Sequence, residues 1–369
     1  MITEETRAAA DNFACDGCGS QLLFNPASQK LRCEHCGLEK EIPADLVEAP
    51  EYLYNPQTDS YTAPDWEAMG EKTVRCKNCG AQTAVSSAAM TAVCPFCGSQ
   101  YVMDEDAITT GILPETLMPF QISHDEAASS FAKWAKGRFW APRAFRKANH
   151  RARRLQGVYL PFWTYDADLY TSYTGMGGRD RTVHYTTTDK DGHTHTHTRV
   201  ETDWFPISGE DSLSFDDRTV CAARDADLPL LQKLGAYSTK VLRRYSPAYL
   251  AGFLARRYDI GVGEGWGMVA PRMQDDMQRH IEADRGFDHY RGMQYAHHFT
   301  NVRFKHILLP VWMASYTYKN RVYAFLVNGE TGRTAGKSPV SACKVAAAVL
   351  LGLAFVALVF LLLYFLGEA

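Results

Sequence analysis

Eight cysteines, arranged as two copies of one pattern, constrain the fold of this 369-residue chain more than any other feature. In each copy a Cys-x2-Cys pair is followed by fourteen residues and a second pair, and the copies start 61 residues apart. The cysteines are Cys15, Cys18, Cys33 and Cys36 in the first copy and Cys76, Cys79, Cys94 and Cys97 in the second. A glycine follows every pair, and glycine reaches the positive φ that a tight turn between two ligands requires.

Pairs with this spacing predict two four-cysteine zinc ribbons, because a tetrahedral zinc ion binds four thiolates. A disulfide framework is the alternative. The N-terminus has no basic start and no apolar run, so we expect a reducing compartment and metal-bound thiolates. A ribbon of about 30 residues buries too little apolar surface to fold alone, so each zinc is predicted to be structural.

The second strong feature is a run of 22 uncharged residues at 345–366. As a helix it is about 33 Å long, which is enough to cross the hydrocarbon core of a bilayer. A buried helix of a soluble domain is rarely apolar on every side over six turns. Lys337 and Lys344 precede the run, so the positive-inside rule predicts a single-pass tail anchor at 343–366, in the cytoplasmic (inner) membrane, with the body in the cytoplasm.

These features divide the chain into segments. We predict zinc ribbon 1 at 11–40, an acidic linker at 41–71, zinc ribbon 2 at 72–103 and an α+β cytoplasmic domain at 104–342. The linker contains eight acids, four prolines and no Lys or Arg, a composition typical of an extended segment. The predicted fold class is therefore multidomain α+β, with two ribbons, a β-rich domain and one C-terminal transmembrane helix.

Local patterns predict some elements of the α+β domain. The sequence Ser123-His124-Asp125-Glu126 is a capping box, and it predicts a helix that ends near Gly137. The segment 182–204 is typical of a long hairpin around Asp191-Gly192. Two β-rich runs within 304–327 are separated by Lys319-Asn320.

Pro271 is typical of the first residue of a helix, whose inner stripe would be Met273, Met277 and Ile281. A weak internal repeat is also present, because Leu160-Pro161-Phe162-Trp163 matches Leu309-Pro310-Val311-Trp312. It indicates two related β units or a chance match of four residues.

Two glycine-rich stretches resemble nucleotide-binding loops only in part. Gly332-x3-Gly336-Lys337-Ser338 is one residue too short for a P-loop, and Pro339 follows where N–H groups would be needed, so we predict a linker. Gly265-x-Gly267-x-x-Ala270 fits only the loosest dinucleotide pattern, and no βαβ unit surrounds it. Neither stretch predicts an enzyme.

Two other surfaces leave alternatives open. His193, His195 and His197 alternate along one strand face, where they form either a metal site or, as we expect, an exposed ladder. The segment 138–154 has seven basic residues interleaved with aromatic ones. It is compatible with binding to nucleic acid, with binding to anionic lipid, and with a solvated helix face.

The combination resembles a group of bacterial membrane proteins with transcription factor IIB-type zinc ribbons, which are often labelled primosomal protein N-prime (replication factor Y) helicases. The resemblance rests on the ribbons, with Cys94-Pro95-Phe96-Cys97-Gly98-Ser99, and on segments 157–163, 215–217, 304–312 and 327–332. It implies no catalytic activity. It implies association with flotillin-like or phage-shock-type membrane proteins. The histidine ladder departs from the family pattern.

The sequence therefore predicts a non-enzymatic, tail-anchored protein with two structural zinc ions. We expect it to act as a protein-interaction scaffold at the cytoplasmic membrane face, with lipid around its C-terminal helix and without a small-molecule substrate. The alternative is a nucleic-acid-binding, primosomal or helicase-associated zinc protein, and an enzyme that uses the glycine-rich segment ranks third.

Overall fold

One large sheet and several small ones give this chain a mixed α+β fold that is rich in strands, which confirms the fold class at that level. The computed structural model describes residues 10–11, 13–43, 50–59, 61–66, 68–76, 79, 81–103, 111–146, 155–188, 190, 193–238, 241–318 and 321–367.

The strands fall into two groups. Those up to residue 103 are short: β1 (Ala10–Asp11), β2 (Leu22–Asn25), β3 (Lys30–Cys33), β4 (Glu39–Lys40), β5 (Tyr52–Leu53), β6 (Glu71–Arg75), β7 (Gln82–Ser86), β8 (Thr91–Val93) and β9 (Gln100–Met103). The later strands include three very long ones: β10 (Thr116–Leu117), β11 (Gln156–Thr188), β12 (Thr194–Cys221), β13 (Arg243–Arg244), β14 (Leu254–Ala255), β15 (His289–Tyr318), β16 (Arg321–Asn328) and β17 (Thr334–Gly336).

The helices are fewer, and two of them are long. Among the described residues they are α1 (His124–Lys136), α2 (Arg143–Arg146), α3 (Leu228–Gln232), α4 (Val262–Arg285) and α5 (Ala342–Gly367), and Pro247–Leu250 forms a 3-10 helix. Helix α1 begins with the predicted capping box: the Ser123 hydroxyl accepts the Glu126 N–H, and the Glu126 carboxylate accepts the Ser123 N–H at 2.8 Å. Its C-cap is Gly137, so this prediction is confirmed.

The large sheet has nine strands, which run β12-β11-β15-β10-β13 along its main path. Strand β14 joins β11, while β5 and β16 join β15, and β17 extends the sheet beyond β16. Strand β11 is antiparallel to both β12 and β15, and β10 runs parallel to β15. Strands β15 and β16 are the two predicted β-rich runs, and the residues between them lie outside the described residues.

The two copies of the internal repeat lie on the paired strands β11 and β15. Leu160 on β11 pairs directly with Leu309 on β15. Pro161 lies one residue beyond the end of the pairing between β11 and β12, so its missing N–H breaks no bond on that side. The matched segments therefore lie side by side in one sheet.

The hairpin of β11 and β12 continues beyond the rest of the sheet. Because β15 begins opposite Gly178, the pairs from Arg179 with Asp203 to Thr188 with Thr194 form a two-stranded extension, which we call the arm. Its side chains are exposed or half-buried. The predicted hairpin is confirmed, and its turn at Asp191-Gly192 lies outside the described residues.

Helix α4 covers one face of the long strands. Val269, Met273, Met277 and Ile281 are buried in a cluster with sheet residues such as Leu169. The predicted stripe is confirmed, but the predicted start of the helix at Pro271 is wrong, because the helix begins at Val262 and includes the proline.

Tertiary packing explains the early start. A Cβ atom at Gly265 would lie 2.5 Å from the Tyr165 hydroxyl oxygen, and that hydroxyl donates to the Val262 carbonyl at 2.6 Å. Close packing on the strand therefore stabilises first turns whose glycines have low helix propensity.

Candidate metal centres

Each set of four cysteines, which we call a cage, is built from two turns with the same hydrogen bonds. The N–H of the first cysteine donates to the carbonyl five residues later, in the order Cys15 to Ser20 (2.6 Å), Cys33 to Leu38 (2.9 Å), Cys76 to Ala81 (2.8 Å) and Cys94 to Ser99 (2.8 Å). The following glycine donates back to the first cysteine at 2.9 Å in the turns of Gly19, Gly37 and Gly98, whose φ angles are 73°, 75° and 73°. Gly80 lies outside the described residues. This geometry is the reason for the glycine after each pair.

The turns bring the eight predicted cysteines together in two groups of four, and within each group the sulfur atoms lie within 4.8 Å of one another. In the first group the Sγ atoms of Cys15 and Cys36, and those of Cys18 and Cys33, are 3.5 Å apart. In the second group the corresponding pairs, Cys76 with Cys97 and Cys79 with Cys94, are 3.7 Å apart.

These distances distinguish a metal cage from a disulfide. A disulfide needs sulfur atoms about 2 Å apart, whereas four sulfurs at 2.3 Å from a tetrahedral ion lie about 3.8 Å from one another. The observed distances are close to the second value, and none of the eight cysteines is in a disulfide. Both groups could therefore hold a metal ion. Since each group supplies four ligands, a tetrahedral ion would be enclosed by the chain.

The charge of a cage also favours a cation. Hydrogen bonds from Ser20 lower the pKa of Cys18 to about 6. The N–H of Leu38 lowers the pKa of Cys36, but neighbouring thiols, first that of Cys15, raise it to about 12. The first thiol of a cage therefore loses its proton readily, whereas a further thiolate beside it is disfavoured. A divalent cation would stabilise all four cysteines as thiolates.

One cysteine of each pair is buried and the other is exposed. In ribbon 2 the Ser99 hydroxyl lies 3.0 Å from the Cys97 sulfur and 3.4 Å from the Cys76 sulfur, where it supports the cage from outside. Sequence reasoning did not single out this serine, although it follows the glycine of its turn directly.

Ribbon 1 lies against the body of the protein. The Phe24 N–H donates to the Ala251 carbonyl at 2.9 Å, and the Phe24 ring lies 5.3 Å from the ring of Tyr249. Cys15 and Cys33 belong to the same buried cluster as body residues such as Trp312. The first cage is therefore continuous with the body's core.

Ribbon 2 contacts the body at one edge through hydrogen bonds and through Met90 and Val102, which are buried in the same cluster as body residues such as Tyr249. The Met90 N–H donates to the Ala255 carbonyl at 3.0 Å, and the Arg257 N–H donates to the Ala88 carbonyl at 2.9 Å. Its cage lies in a separate small cluster with residues such as Val74 and Tyr101. The two ribbons also touch, since the Gln21 amide donates to the Gln100 carbonyl at 2.6 Å and accepts its N–H at 3.1 Å.

The segment between the ribbons follows the large sheet. Its part at 50–59 and 61–66, which we call the strap, includes β5, and the Tyr54 N–H donates to the Val302 carbonyl at 2.8 Å. Tyr54 and Trp66 are buried, so apolar anchors interrupt the acidic composition. Glu51 forms ion pairs with Arg303 at 3.2 Å and with Lys305 at 3.1 Å.

Lys305 is a buried charge that sequence reasoning missed. Its ammonium group lies 2.9 Å from Asp217 and 3.8 Å from Asp166, besides the contact with Glu51. Burial raises the pKa of Asp166 to about 6. The pairing of β11 shifts register at Asp166, and this bulge, which leaves no sequence signal, brings the groups together.

Helix α5 begins beside the end of α1. The Lys344 ammonium group donates to the carbonyls of Phe139 and Ala141, each at 2.7 Å, and the Ser341 N–H donates to the Trp140 carbonyl at 2.9 Å. From Ala342 to Phe360 the helix is long and apolar enough to cross a membrane, and none of this stretch is buried, unlike a core helix of a soluble protein.

The P-loop-like stretch, the histidine ladder and the basic segment were the weaker candidate sites. The P-loop-like stretch contains strand β17, and Lys337 directly after it forms an ion pair with Asp227 at 2.5 Å. His193, His195 and His197 are exposed, and they form no group of metal ligands within the described ranges. Of the basic segment 138–154, residues 147–154 lie outside the described residues.

One relative covers nearly the whole chain. An uncharacterised protein of Bacillus subtilis (strain 168), YdjG, is 30% identical over 341 residues, which are 91% of this chain and 92% of the relative. No family profile matches the sequence, and no solved structure matches the chain.

Proposed function

This chain belongs to the same family as YdjG of Bacillus subtilis, and within that family we propose that it is a non-enzymatic, membrane-anchored zinc protein whose ribbons form a scaffold for protein partners. The single observation that carries the proposal is that both four-cysteine cages are fixed on a body that ends in an exposed apolar helix.

Zinc is the metal that the cages fit best. Four thiolates at tetrahedral spacing select a soft, four-coordinate ion, and a site closed by four cysteines leaves no position for a reacting water. Each zinc then acts as a structural ion. Purified protein should contain two zinc ions per chain, and metal analysis that finds one zinc, or iron in its place, would contradict this assignment.

The surroundings of helix α5 support a membrane anchor. Phe139 and Trp140 are exposed beside its first turn, and Lys344 lies over the Phe139 ring at 5.4 Å. Aromatic and basic side chains at one end of an apolar helix are typical of the bilayer interface. By the positive-inside rule, Lys337 and Lys344 support an orientation with the body in the cytoplasm, at the inner membrane.

Deletion of 343–369 tests the anchor. The truncated protein should move from the membrane fraction to the soluble fraction and keep both zinc ions, because the cages and the helix lie at opposite ends of the chain. A truncated protein that still sediments with membranes would show that another surface, such as Phe139 and Trp140, holds the body there.

The exposed part of ribbon 2 supports protein partners. Phe96, between two cage cysteines, is 72% exposed, and Val93 is 53% exposed. Exposed aromatic side chains are enriched at protein–protein interfaces. By resemblance, flotillin-like or phage-shock-type membrane proteins are the expected partners.

Phe96→Ser tests this surface, with Phe205→Ser on β12 as a matched exposed control. Affinity purification of the detergent-solubilised protein should recover a set of partner proteins that is lost from the first variant and kept by the second. Recovery of nucleic acid by a salt-sensitive interaction, with the same proteins in both variants, would favour the nucleic-acid alternative.

We also propose that the protein hydrolyses no ATP, because Lys337 pairs with Asp227 and lies after a strand where a P-loop lysine would begin a helix. Lys337→Ala should leave any nucleotide binding unchanged. ATPase activity abolished by this substitution would overturn both this statement and the choice of a scaffold over a helicase.

A further inference from the structure

The arm leaves one edge of the large sheet open. Strand β12 is the last strand on its side of the sheet, and among the described residues only β11 pairs with it. The faces of the arm are uncovered as well, since residues 193–200 are all exposed. A two-stranded ribbon that packs on nothing is marginally stable in water, and an open edge is a template for a further strand. The arm is therefore built in a way that a third strand would stabilise.

Hydrogen bonds at the base of the arm show which backbone groups of β12 point to this edge. The Asp180 N–H donates to the Asp288 carboxylate at 2.9 Å, and the Gly178 carbonyl accepts the Asp288 N–H at 3.0 Å. Asp288 directly precedes β15, so the even-numbered residues of β11 point away from β12 here. In the hairpin, even-numbered residues lie opposite even-numbered ones. Because the bonds of antiparallel strands alternate sides, the even-numbered residues of β12 direct their N–H and C=O groups outwards.

Two residues of β12 agree with this assignment. Pro206 is even-numbered, so its missing N–H breaks no bond to β11. The Ser212 N–H, also on an even-numbered residue, donates to the Asp211 carboxylate at 2.8 Å. Pro206 also limits the length of a partner strand, because it offers no N–H to it. The outward groups that can pair without interruption therefore end at Trp204.

The charges along this edge are complementary to themselves about one residue. If a second copy of β12 lies antiparallel with a two-fold axis at Val200, Arg199 lies opposite Glu201 of the second copy, and the symmetry forms this pair twice. In the same register His197 lies opposite Asp203 of the second copy. Val200, which is 64% exposed, then lies opposite its own equivalent. Opposite charges and β-branched residues directly across a pair both stabilise a sheet.

The same charges disfavour the neighbouring registers. An axis at Arg199 would place two guanidinium groups opposite each other, and an axis at Glu201 would do the same with two carboxylates. An axis at Thr202 would place Glu201 opposite Asp203. Like charges directly across a pair destabilise a sheet. Of the axes from Arg199 to Thr202, only that at Val200 places no like charges opposite each other.

We propose that the arm is a dimerisation element, in which β12 pairs with β12 of a second copy of this chain in the antiparallel register centred on Val200. The two hairpins then form one four-stranded ribbon, and the outward backbone groups form about ten hydrogen bonds between the copies. Glu201 lies between Arg181 of its own chain, at 2.8 Å, and Arg199 of the second copy. This interface uses no residue of the zinc ribbons or of helix α5, so it goes beyond the proposed scaffold function and does not depend on it.

A cysteine at the axis tests the pairing in the full-length, zinc-loaded protein in detergent. Val200→Cys is made in a Cys343→Ser background, which removes the exposed cysteine outside the cages. It should form a disulfide between two copies under mild oxidation, since the paired Cα atoms would lie about 5.5 Å apart. Thr182→Cys is the matched control, because Thr182 pairs with Val200 on the inner strand. Its two copies would lie three strand spacings, about 14 Å, apart, so only Val200→Cys should give a covalent dimer on a non-reducing gel.

Charge reversal assigns the cross-link to this register. In the presence of Val200→Cys, Arg199→Glu and Glu201→Arg should each lower the yield of covalent dimer by about tenfold or more, because both symmetric pairs become repulsive. Mixing the two variants should restore the yield as a heterodimer, since two acidic positions of one chain then face two basic positions of the other. Arg181→Gln loses its ion pairs with Glu201 and Asp203 inside the hairpin and should leave the yield unchanged.

Three outcomes would overturn the proposal. Equal cross-linking of Val200→Cys and Thr182→Cys would indicate random collision of exposed thiols. No cross-link at Val200→Cys would mean that β12 binds no second copy, and it would leave this edge to an extended segment of a different protein. A yield that Arg199→Glu does not change, or that the mixed variants do not restore, would exclude the register centred on Val200.

Discussion

Ribbon 1 and ribbon 2 share one ligand spacing but differ in what surrounds their cages. The buried cysteines of ribbon 1, Cys15 and Cys33, lie in a cluster that continues into the body as far as Trp312. Those of ribbon 2, Cys76 and Cys94, lie in a small cluster of ribbon residues alone. The same metal-binding pattern therefore supports the central core in one case and a peripheral module in the other.

The difference arises from the residues between the cysteine pairs. Ribbon 1 places Leu22, Phe24 and Leu31 on one face of its hairpin, and this face packs on the body. Ribbon 2 turns Val85 and Tyr101 towards its own cage. Ligand spacing determines the cage, whereas the apolar residues between the ligands determine what the cage supports.

Removing the metal from one ribbon at a time should affect the stability of the body differently for the two ribbons. Cys33→Ser and Cys94→Ser should each lower the zinc content from two ions to one. Only Cys33→Ser should also lower the unfolding midpoint of the body, because a structural zinc contributes on the order of 10 kcal/mol, as much as a whole domain's stability.

Tryptophan near-UV circular dichroism during heating measures the body separately from the ribbons, since Trp163 and Trp312 are buried in it. Equal midpoints in the two variants would contradict the idea that the first cage belongs to the main core.

Side chains that carry no ligand should show the same contrast on a smaller scale. Phe24→Ala removes a ring packed near Tyr249 and Phe253, and we expect a loss of about 3–5 kcal/mol in the free energy of unfolding of the body. Val85→Ala in ribbon 2 should cost about 1–2 kcal/mol and act within the ribbon. Guanidinium unfolding gives the first quantity, and the rate of zinc transfer to a chelator gives the second.

The strap between the ribbons gives a third test through pH. The pKa of Asp166 is raised from 3.8 to about 6, so its protonated form stabilises the fold fully below pH 3.8, and this contribution is lost as the pH rises through 6. Asp166→Asn replaces the carboxyl with an amide that does not ionise, so the variant does not lose stability in this way as the pH rises. The variant should match the wild type near pH 4 and be more stable at pH 7.5, by on the order of 1–3 kcal/mol.

Chemical unfolding of both proteins at several pH values checks this difference. A variant that is less stable than the wild type at pH 7.5 would mean that Asp166 acts mainly as a partner of Lys305.

The contact between the ribbons should have the smallest effect. Gln21→Ala removes two hydrogen bonds to Gln100 and should cost about 1–2 kcal/mol. This cost should vanish in a background of Cys94→Ser, where ribbon 2 is unfolded. Gln29→Asn is the control, since Gln29 donates to the Phe120 carbonyl at 2.8 Å and its loss should be felt in both backgrounds. Equal costs of Gln21→Ala in both backgrounds would show that the ribbons do not couple through Gln21.

Local features of this protein could be predicted from sequence because their causes are local. The cysteine spacing, the capping box at Ser123 and the apolar run at the C-terminus each depend on residues within a few turns of one another. The start of helix α4 is a case in which local sequence did not predict the structure. Its first turns are rich in glycine, and contacts with Tyr165, about 100 residues away in sequence, decide that they are helical.

Long-range features had no readable signal. Nothing in the acidic composition of the linker predicts that Trp66 is buried, with its indole N–H donating to the Tyr258 carbonyl at 2.6 Å. The cluster around Lys305 depends on a bulge, and a small cavity at Arg257 depends on five separate segments of the chain. Such sites become visible only when the chain's distant parts are placed together.

The arm has a practical consequence for anyone who labels this protein. A tag placed in β1 would disturb its pairing with β9 of ribbon 2, and a tag placed in helix α5 would interrupt its apolar surface. Strand β11 has 33 residues and is roughly 100 Å long, so the tip of the arm is far from both cages. A fluorophore or epitope inserted between Thr188 and Thr194 would displace no core side chain and would report on the intact, zinc-loaded molecule.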